Sequence, residues 1–349
     1  MDFITQTLLG GVAAQATMTK ALGRSALLFG ALGGALPDFD SFLRPLADPA
    51  LPFEWHRHFT HSLLFIPIGG ALAAAPFMLR RAWREKAGLV FAAATIGCAT
   101  HGLLDNLTSY GTHLYWPFIS QRTAWDAMSI IDPIFTGLLI VGAFLSMVIG
   151  RARPAIAAFV LCLLYVGFGF VQHERAMNVQ ELVATERGHE RERGRVMPTL
   201  GNLIVWRSVY EYDGHLYADA IRLPVFDEPR AKRGESLRVF AADDLPSVAD
   251  EYAQARLRDV FERFSAFADD YTAVVADGSP AGFIVGDMRY SLDTDGFDPI
   301  WGLYISPHDP LEPVRWTGHR PRDREGAVRD LWYDLIAPDA RFAPIALGR

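Results

Sequence analysis

Cysteine is nearly absent: two residues in 349, Cys98 and Cys162, each inside an apolar segment. That excludes zinc sites built on cysteine spacing and makes a disulfide unexpected; two small buried thiols are the plain reading. Basic charge is short as well, 33 Lys and Arg against 40 Asp and Glu, for a net charge of −7. Nucleic acid is therefore excluded as a partner, because phosphate binding needs a basic surface. The start, Met1-Asp2-Phe3, lacks the basic stretch that opens a signal peptide. The small residues at 13–16 resemble a cleavage site only weakly, so the N-terminus is expected to be retained.

Charge of either sign is scarce in the first half. Residues 1–172 carry 11 Lys and Arg and 9 Asp and Glu, whereas 173–349 carry 22 and 31. The length allows two domains, and this contrast reads as a membrane part followed by a polar, acidic part. Residues 63–79, 87–104, 134–150 and 154–171 read as spanning helices. They are at the short end for about 30 Å of hydrocarbon, which takes roughly 20 residues. Residues 3–18 and 25–36 are shorter and rich in Gly and Ala, which suits a closely packed helical pair of incomplete spans. The expected fold is thus an α-helical polytopic membrane domain of four to six helices, residues 1–172, followed by a small soluble α+β domain.

The remaining chain reads in three parts. Residues 173–197 are highly charged, a linker or exposed helix. Residues 198–305 hold β-like runs at 203–210, 216–223, 272–275, 282–289 and 301–305, with one helix at 245–267. Asp213-Gly214, Asp277-Gly278 and Asp295-Gly296 mark turns. Residues 306–349, rich in Pro, Arg and Asp, read as a loosely ordered tail. If six helices alternate in direction, Lys20, Arg24, Arg80, Arg81, Arg84, Lys86, Arg151 and Arg153 share one side, and only Arg44, Arg57 and Arg122 the other. The positive-inside rule puts the first set in the cytoplasm. The expected location is an inner (plasma) membrane, multi-pass, with the C-terminal domain extracytoplasmic.

Four polar patches interrupt the apolar half, and all fall on that extracytoplasmic face. Asp38 and Asp40 follow Pro37 at the end of an apolar segment. In an extended turn both carboxylates can reach one ion or two adjacent ions; a solvated turn is the plain alternative. His56, His58 and His61, with Arg57, Thr60 and Ser62, sit at the mouth of the next segment. Neutral imidazole is a common metal ligand, and Arg57 suits an anionic substrate. Thr60 can cap the following helix. The alternative is a set of interfacial histidines beside a snorkelling Arg. His101 and Asp105 are spaced i, i+4, so one helix face carries both; a hydrogen-bonded pair at a helix end is the alternative. Residues 106–132 include aromatics suited to a membrane interface, with His113 and Asp126 as weaker ligand candidates. Asp132 before Pro133 is either a ligand or a helix cap. Together these patches hold enough His and Asp for one or more divalent ions. The His-x3-Asp spacing fits zinc-ligand geometry, and zinc is the expected ion.

As a set the motifs resemble the membrane-bound metal-dependent hydrolases related to the inner-membrane protein YdjM. The resemblance is carried by Gly33-Gly34-Ala35-Leu36-Pro37-Asp38-Phe39-Asp40, His56-Arg57 with Thr60-His61-Ser62, His101 with Asp105, Leu107-Thr108-Ser109-Tyr110-Gly111-Thr112, Trp116-Pro117-Phe118 and Ile131-Asp132-Pro133. It extends into residues 198–206. Membership in that family, itself considered distantly similar to zinc phospholipase C-like enzymes, implies Asp38, His61, His101 and Asp105 as metal ligands, with Asp40 and His56 as further ligands. One departure stands out: the family pattern has histidine where this chain has Gln6. His113 stands where a polar residue other than histidine is expected.

The expected function is a membrane-embedded hydrolase acting on an ester or phosphoester, with membrane lipid as partner and a lipid as candidate substrate. Arg57 would neutralise an anionic oxygen, and Asp40 or His56 would be a further ligand or the general base. The alternative is a non-catalytic transporter or envelope-organising protein with a structural metal. A transporter would place its polar residues at mid-membrane on broken helices rather than at one face.

Overall fold

Glycine and alanine sit where the first two helices, α1 (Phe3–Leu22) and α2 (Ser25–Ala35), touch, so their backbones approach until a single methyl would collide. The computed structural model describes residues 1–275, 282–291, 293–318, 324–336 and 341–345; the turn read at Asp277-Gly278 lies outside them. A Cβ at Gly30 would strike the Ala14 side chain and the Gly10 carbonyl, and one at Gly97 would strike the Gly30 carbonyl. Asp2 starts α1 by accepting hydrogen bonds from the Thr5 N–H and hydroxyl at 3.0 and 2.6 Å.

After α2 the chain tightens into a 3-10 helix, Leu36–Leu46, and a 3-10 turn, Phe59–His61, precedes α3 (Phe65–Ala74). A further 3-10 stretch, Ala75–Leu79, and the short α4 (Arg81–Arg84) lead into α5 (Ala87–Asn106). Residues 107–132 fold back on the end of α5, where the Leu107 carbonyl accepts from the N–H groups of Ala127 and Met128 at 2.9 and 3.1 Å. Then come α6 (Pro133–Ile149) and α7 (Arg153–Glu186). Asp132 caps α6, accepting from the N–H groups of Ile134 and Phe135 at 3.1 and 3.0 Å and from the Tyr165 hydroxyl at 2.7 Å. That resolves its two readings in favour of the cap. Phe29 anchors the core among these helices, edge-on to Phe77 and Trp83 at 4.6 and 5.0 Å.

Three described helical stretches are long and apolar enough to cross a membrane: Ser25–Leu43, Ala87–Asn106 and Arg153–Glu186. The apolar stretches Phe65–Leu79 and Pro133–Ile149 are shorter. The expected count of four to six goes beyond these three. Apolar side chains such as Val148 and Leu164 stay exposed along the helices, as lipid contact requires.

The chain divides into two compact units, the second beginning at Gln172 and also taking Asp48–Pro52. This second unit is built on two antiparallel sheets. One has the order β1-β2-β3-β4-β9, from β1 (Arg193–Pro198), β2 (Val205–Tyr212), β3 (His215–Arg222), β4 (Arg230–Arg238) and β9 (Ala343–Pro344). The other has the order β5-β6-β7-β8, from β5 (Thr272–Val275), β6 (Phe283–Asp287), β7 (Gly302–Ile305) and β8 (Val314–Thr317). The helices α8 (Glu251–Phe267) and α9 (Arg324–Ile336) complete it. Met197, Val209 and Leu216 from the first sheet and Ala273, Val275 and Ile284 from the second share one core.

Residues 173–186 continue α7, the helical one of the two readings given for 173–197, while residues 193–197 lie in β1. Two expectations change here. The stretch from 306 onward includes β8, α9 and β9, and β9 pairs with β4, so its described residues are not a loose tail. Thr60 caps no helix: α3 starts at Phe65, whose N–H lies 3.3 Å from the Ser62 hydroxyl.

Candidate metal centre

Three segments bring four candidate ligand side chains together. His101 and Asp105 occupy successive turns near the end of α5, both fully buried. The helical period alone puts them on one face. Asp38 comes from the 3-10 helix after α2 and His61 from the 3-10 turn before α3. Gly102 lets the third segment in: a Cβ there would strike the His61 carbonyl. One donor atom from each of Asp38, His61, His101 and Asp105 lies within 4.8 Å of the other three. Among the described residues this is the single such group.

The spacing suits a small ion. His61 Nε2 is 2.9 Å from His101 Nε2, 3.6 Å from Asp38 Oδ1 and 3.1 Å from Asp105 Oδ2. His101 Nε2 is 3.4 Å from both carboxylates. A tetrahedral zinc with ligand bonds of roughly 2.0–2.1 Å has edges of about 3.3 Å, close to these five separations, and the Asp38–Asp105 separation is within 4.8 Å.

The hydrogen bonds behind the ligands fix which nitrogen faces inward. His101 Nδ1 lies 2.5 Å from the Gly34 carbonyl, which can only accept. His61 Nδ1 lies 3.3 Å from Asp40 Oδ2 and 3.0 Å from the Thr60 hydroxyl. Each neutral ring therefore holds its proton on Nδ1 and turns a lone pair inward from Nε2. Asp105 Oδ2 is buried and takes no hydrogen bond. Two lone pairs and two carboxylate oxygens converging in a buried space repel one another unless a cation stands between them. The donor set thus fits a divalent metal.

Asp40 and His56 stand one layer behind the ligands. Asp40 accepts from His56 Nδ1 at 2.9 Å, the Arg57 N–H at 2.9 Å and the Thr60 hydroxyl at 3.0 Å, besides facing His61. The 3-10 backbone explains why it parts from Asp38: at about three residues per turn, side chains two apart point in different directions. Arg57 adopts a φ of +61°, uncommon for a residue with a side chain, and is 5% exposed. Its Nη2 pairs with Asp105 Oδ1 at 3.2 Å and its Nη1 donates to the Thr108 hydroxyl at 3.2 Å. The Met1 amino group also pairs with Asp105 Oδ1. Asp105 thereby spends one oxygen on cations and keeps the other for the centre.

The remaining candidates stay outside the group of four. His113 packs its ring against His58 at 4.6 Å. Burial, with Arg122 and His58 nearby, pushes His113 down to about 3, and burial also lowers His58. Asp126 is buried at a φ of +51°. Gln6 lies behind the centre, where its Nε2 donates to the His101 carbonyl at 3.3 Å. Sequence reasoning missed Arg122, whose guanidinium lies 4.8 Å from the Tyr110 ring centre while Arg57 lies 4.7 Å from the same ring. It also missed the Gly34 carbonyl and the opening at Gly102, since neither carries a side chain that could signal it.

A family model described as YdjM inner membrane protein matches residues 1–176, a stretch that contains every residue of the centre. No curated protein and no solved structure matches the chain.

Proposed function

The chain belongs to the YdjM inner membrane protein family, and on that premise we propose that it is a multi-pass membrane hydrolase. Asp38, His61, His101 and Asp105 would hold a divalent ion, zinc before others given two nitrogen and two oxygen donors. The observation that carries this reading is the convergence of four donor atoms, Asp105 Oδ2 among them without a hydrogen-bond partner, with both imidazole protons drawn off to Gly34 and to Asp40 or Thr60. A bound divalent ion supplies Lewis acidity at this point, polarising an ester or phosphoryl oxygen and making water a stronger acid.

The chain's own residues would do the rest. His56, held through Nδ1 by Asp40 and 30% exposed at its side chain, is the group able to take a proton from water, and Asp40 orients it. Arg57 adds positive charge beside Asp105, which favours an anionic substrate such as a phosphoester. The ligands sit at the ends of apolar helices, where a lipid ester would present its headgroup linkage. The split of basic residues supports a cytoplasmic side at Arg80–Lys86 and an extracytoplasmic site.

A second reading has its own support. Four protein ligands complete a tetrahedral shell, the arrangement of structural zinc, whereas catalytic zinc keeps a position open. That favours a non-catalytic transporter or envelope-organising protein. Hydrolysis of lipid phosphoesters by the detergent-purified protein separates the two. Metal-dependent turnover lost in both Asp38→Ala and His101→Ala supports the hydrolase; activity that survives both substitutions rules out this centre as catalyst.

A further inference from the structure

The apolar part of α7 ends at Val171, and Gln172 follows it. Gln172 Nε2 donates to the carbonyls of Leu203 and Leu223 at 2.9 and 3.0 Å. Arg175 Nη2 donates to the Pro224 carbonyl at 3.0 Å. The loop after β3 is therefore pinned to α7 between one and four residues, or up to roughly 6 Å, beyond the last apolar residue. At the tip of that loop Val225 is 49% exposed and Phe226 is 99% exposed.

A second element is fastened through the residue before the loop. Arg222, just before the loop, donates from Nε to the Asp334 carbonyl at 3.1 Å and from Nη2 to the Leu335 carbonyl at 3.2 Å. This fixes the end of α9, whose Trp332, Tyr333 and Ile336 are all exposed. Five exposed apolar or aromatic side chains thus lie on the two elements that Gln172, Arg175 and Arg222 fasten. An isolated exposed Phe needs no explanation; a set with Trp and Tyr does. Trp and Tyr favour the membrane–water boundary, where an apolar ring and a polar edge are both satisfied. Asp227 and Glu228 follow Phe226 directly, so the apolar tip is short and the loop turns back to water.

We propose that Val225, Phe226 and the Trp332, Tyr333 and Ile336 face of α9 form a collar that seats in the headgroup–acyl boundary of the membrane crossed by α7. The partner is a lipid surface. The collar depends on α7 being a span and is independent of the metal centre.

The test uses the full chain with Cys98→Ala and Cys162→Ala, carrying one new cysteine by Val225→Cys or Trp332→Cys, labelled with bimane. Each is placed in phosphatidylethanolamine–phosphatidylglycerol vesicles with or without lipid brominated near the carbonyl end of its chains. Leu164→Cys, within the apolar part of α7, and Tyr252→Cys, on the exposed side of α8 (82% exposed), are the comparison sites. The collar predicts that brominated lipid removes emission at 225 and 332, and that aqueous iodide quenches both less than it quenches 252. Labels quenched by iodide as strongly as at 252, with no response to bromine, overturn it. Labels shielded from both point to a protein cover and overturn it as well. A label at 164 that escapes bromine overturns the span and the collar with it.

Discussion

His61 and His101 meet Nε2 to Nε2 at 2.9 Å, with each Nδ1 already turned to an acceptor. With both protons on Nδ1, two neutral imidazoles cannot share that contact, since neither has a proton to place between them. Either a proton or a metal ion must lie there, and the two compete.

The first expectation concerns occupancy. Wild-type protein grown with supplemental zinc should carry stoichiometric metal by elemental analysis, and His61→Ala, His101→Ala and Asp105→Ala should fall to background. Binding should also release protons, readable in a weakly buffered titration. A wild type without stoichiometric metal would remove the basis of the centre.

Asp40→Ala should behave differently from the ligand variants. It leaves all four donor atoms in place but frees the His61 ring to rotate. Loss of such a partner costs roughly 10–100-fold in metal affinity. Metal should therefore still bind at saturation, with a weaker dissociation constant from competition with a chromophoric chelator. Complete loss of binding would make Asp40 a ligand in its own right.

Gly102→Ala tests the opening that admits His61. The added methyl meets a backbone carbonyl, so the 3-10 turn must move and the His61–His101 contact must widen. Metal affinity should drop although no ligand is changed. Gly137→Ala on α6, where a Cβ would meet nothing within 4 Å, should be neutral or stabilise by up to about 1 kcal/mol. Equal metal affinity in both variants would show that the turn yields freely.

His113 gives a pH dependence. Its folded value is pushed down to about 3, whereas an imidazole in the unfolded chain titrates near pH 6.5. Between those values the unfolded chain binds more protons, so stability should be lost as pH falls below about 6.5. Thermal melts at neutral and mildly acidic pH should show a shallower acid loss in His113→Phe than in wild type. Matching pH slopes would mean the ring is protonated within the fold.

How much of this could be read in the chain depended on the local backbone. His101 and Asp105 were legible as a pair because the α-helical period fixes their shared face. Asp38 and Asp40 were ranked only by the family resemblance, because their two-residue spacing says nothing until the backbone is known to be 3-10. His56 and His61 were likewise ranked only by that resemblance, since the turn between them, with Arg57 at positive φ, decides which ring faces inward. The later strands were readable where β-branched and aromatic residues cluster, as at Thr272–Val275. They were missed at Arg230–Arg238, a strand of mostly polar residues with no β-branched or aromatic side chain.

An ion bound by Asp38, His61, His101 and Asp105 would also act as a cross-link. It would close the 38–61 and 61–101 loops together, much as two disulfides sharing one anchor would, in a chain whose two cysteines are free. Cross-links of this kind restrict the unfolded chain more than they strengthen the folded one. Metal supply would then govern how much helical unit survives in the membrane, before any question of turnover arises.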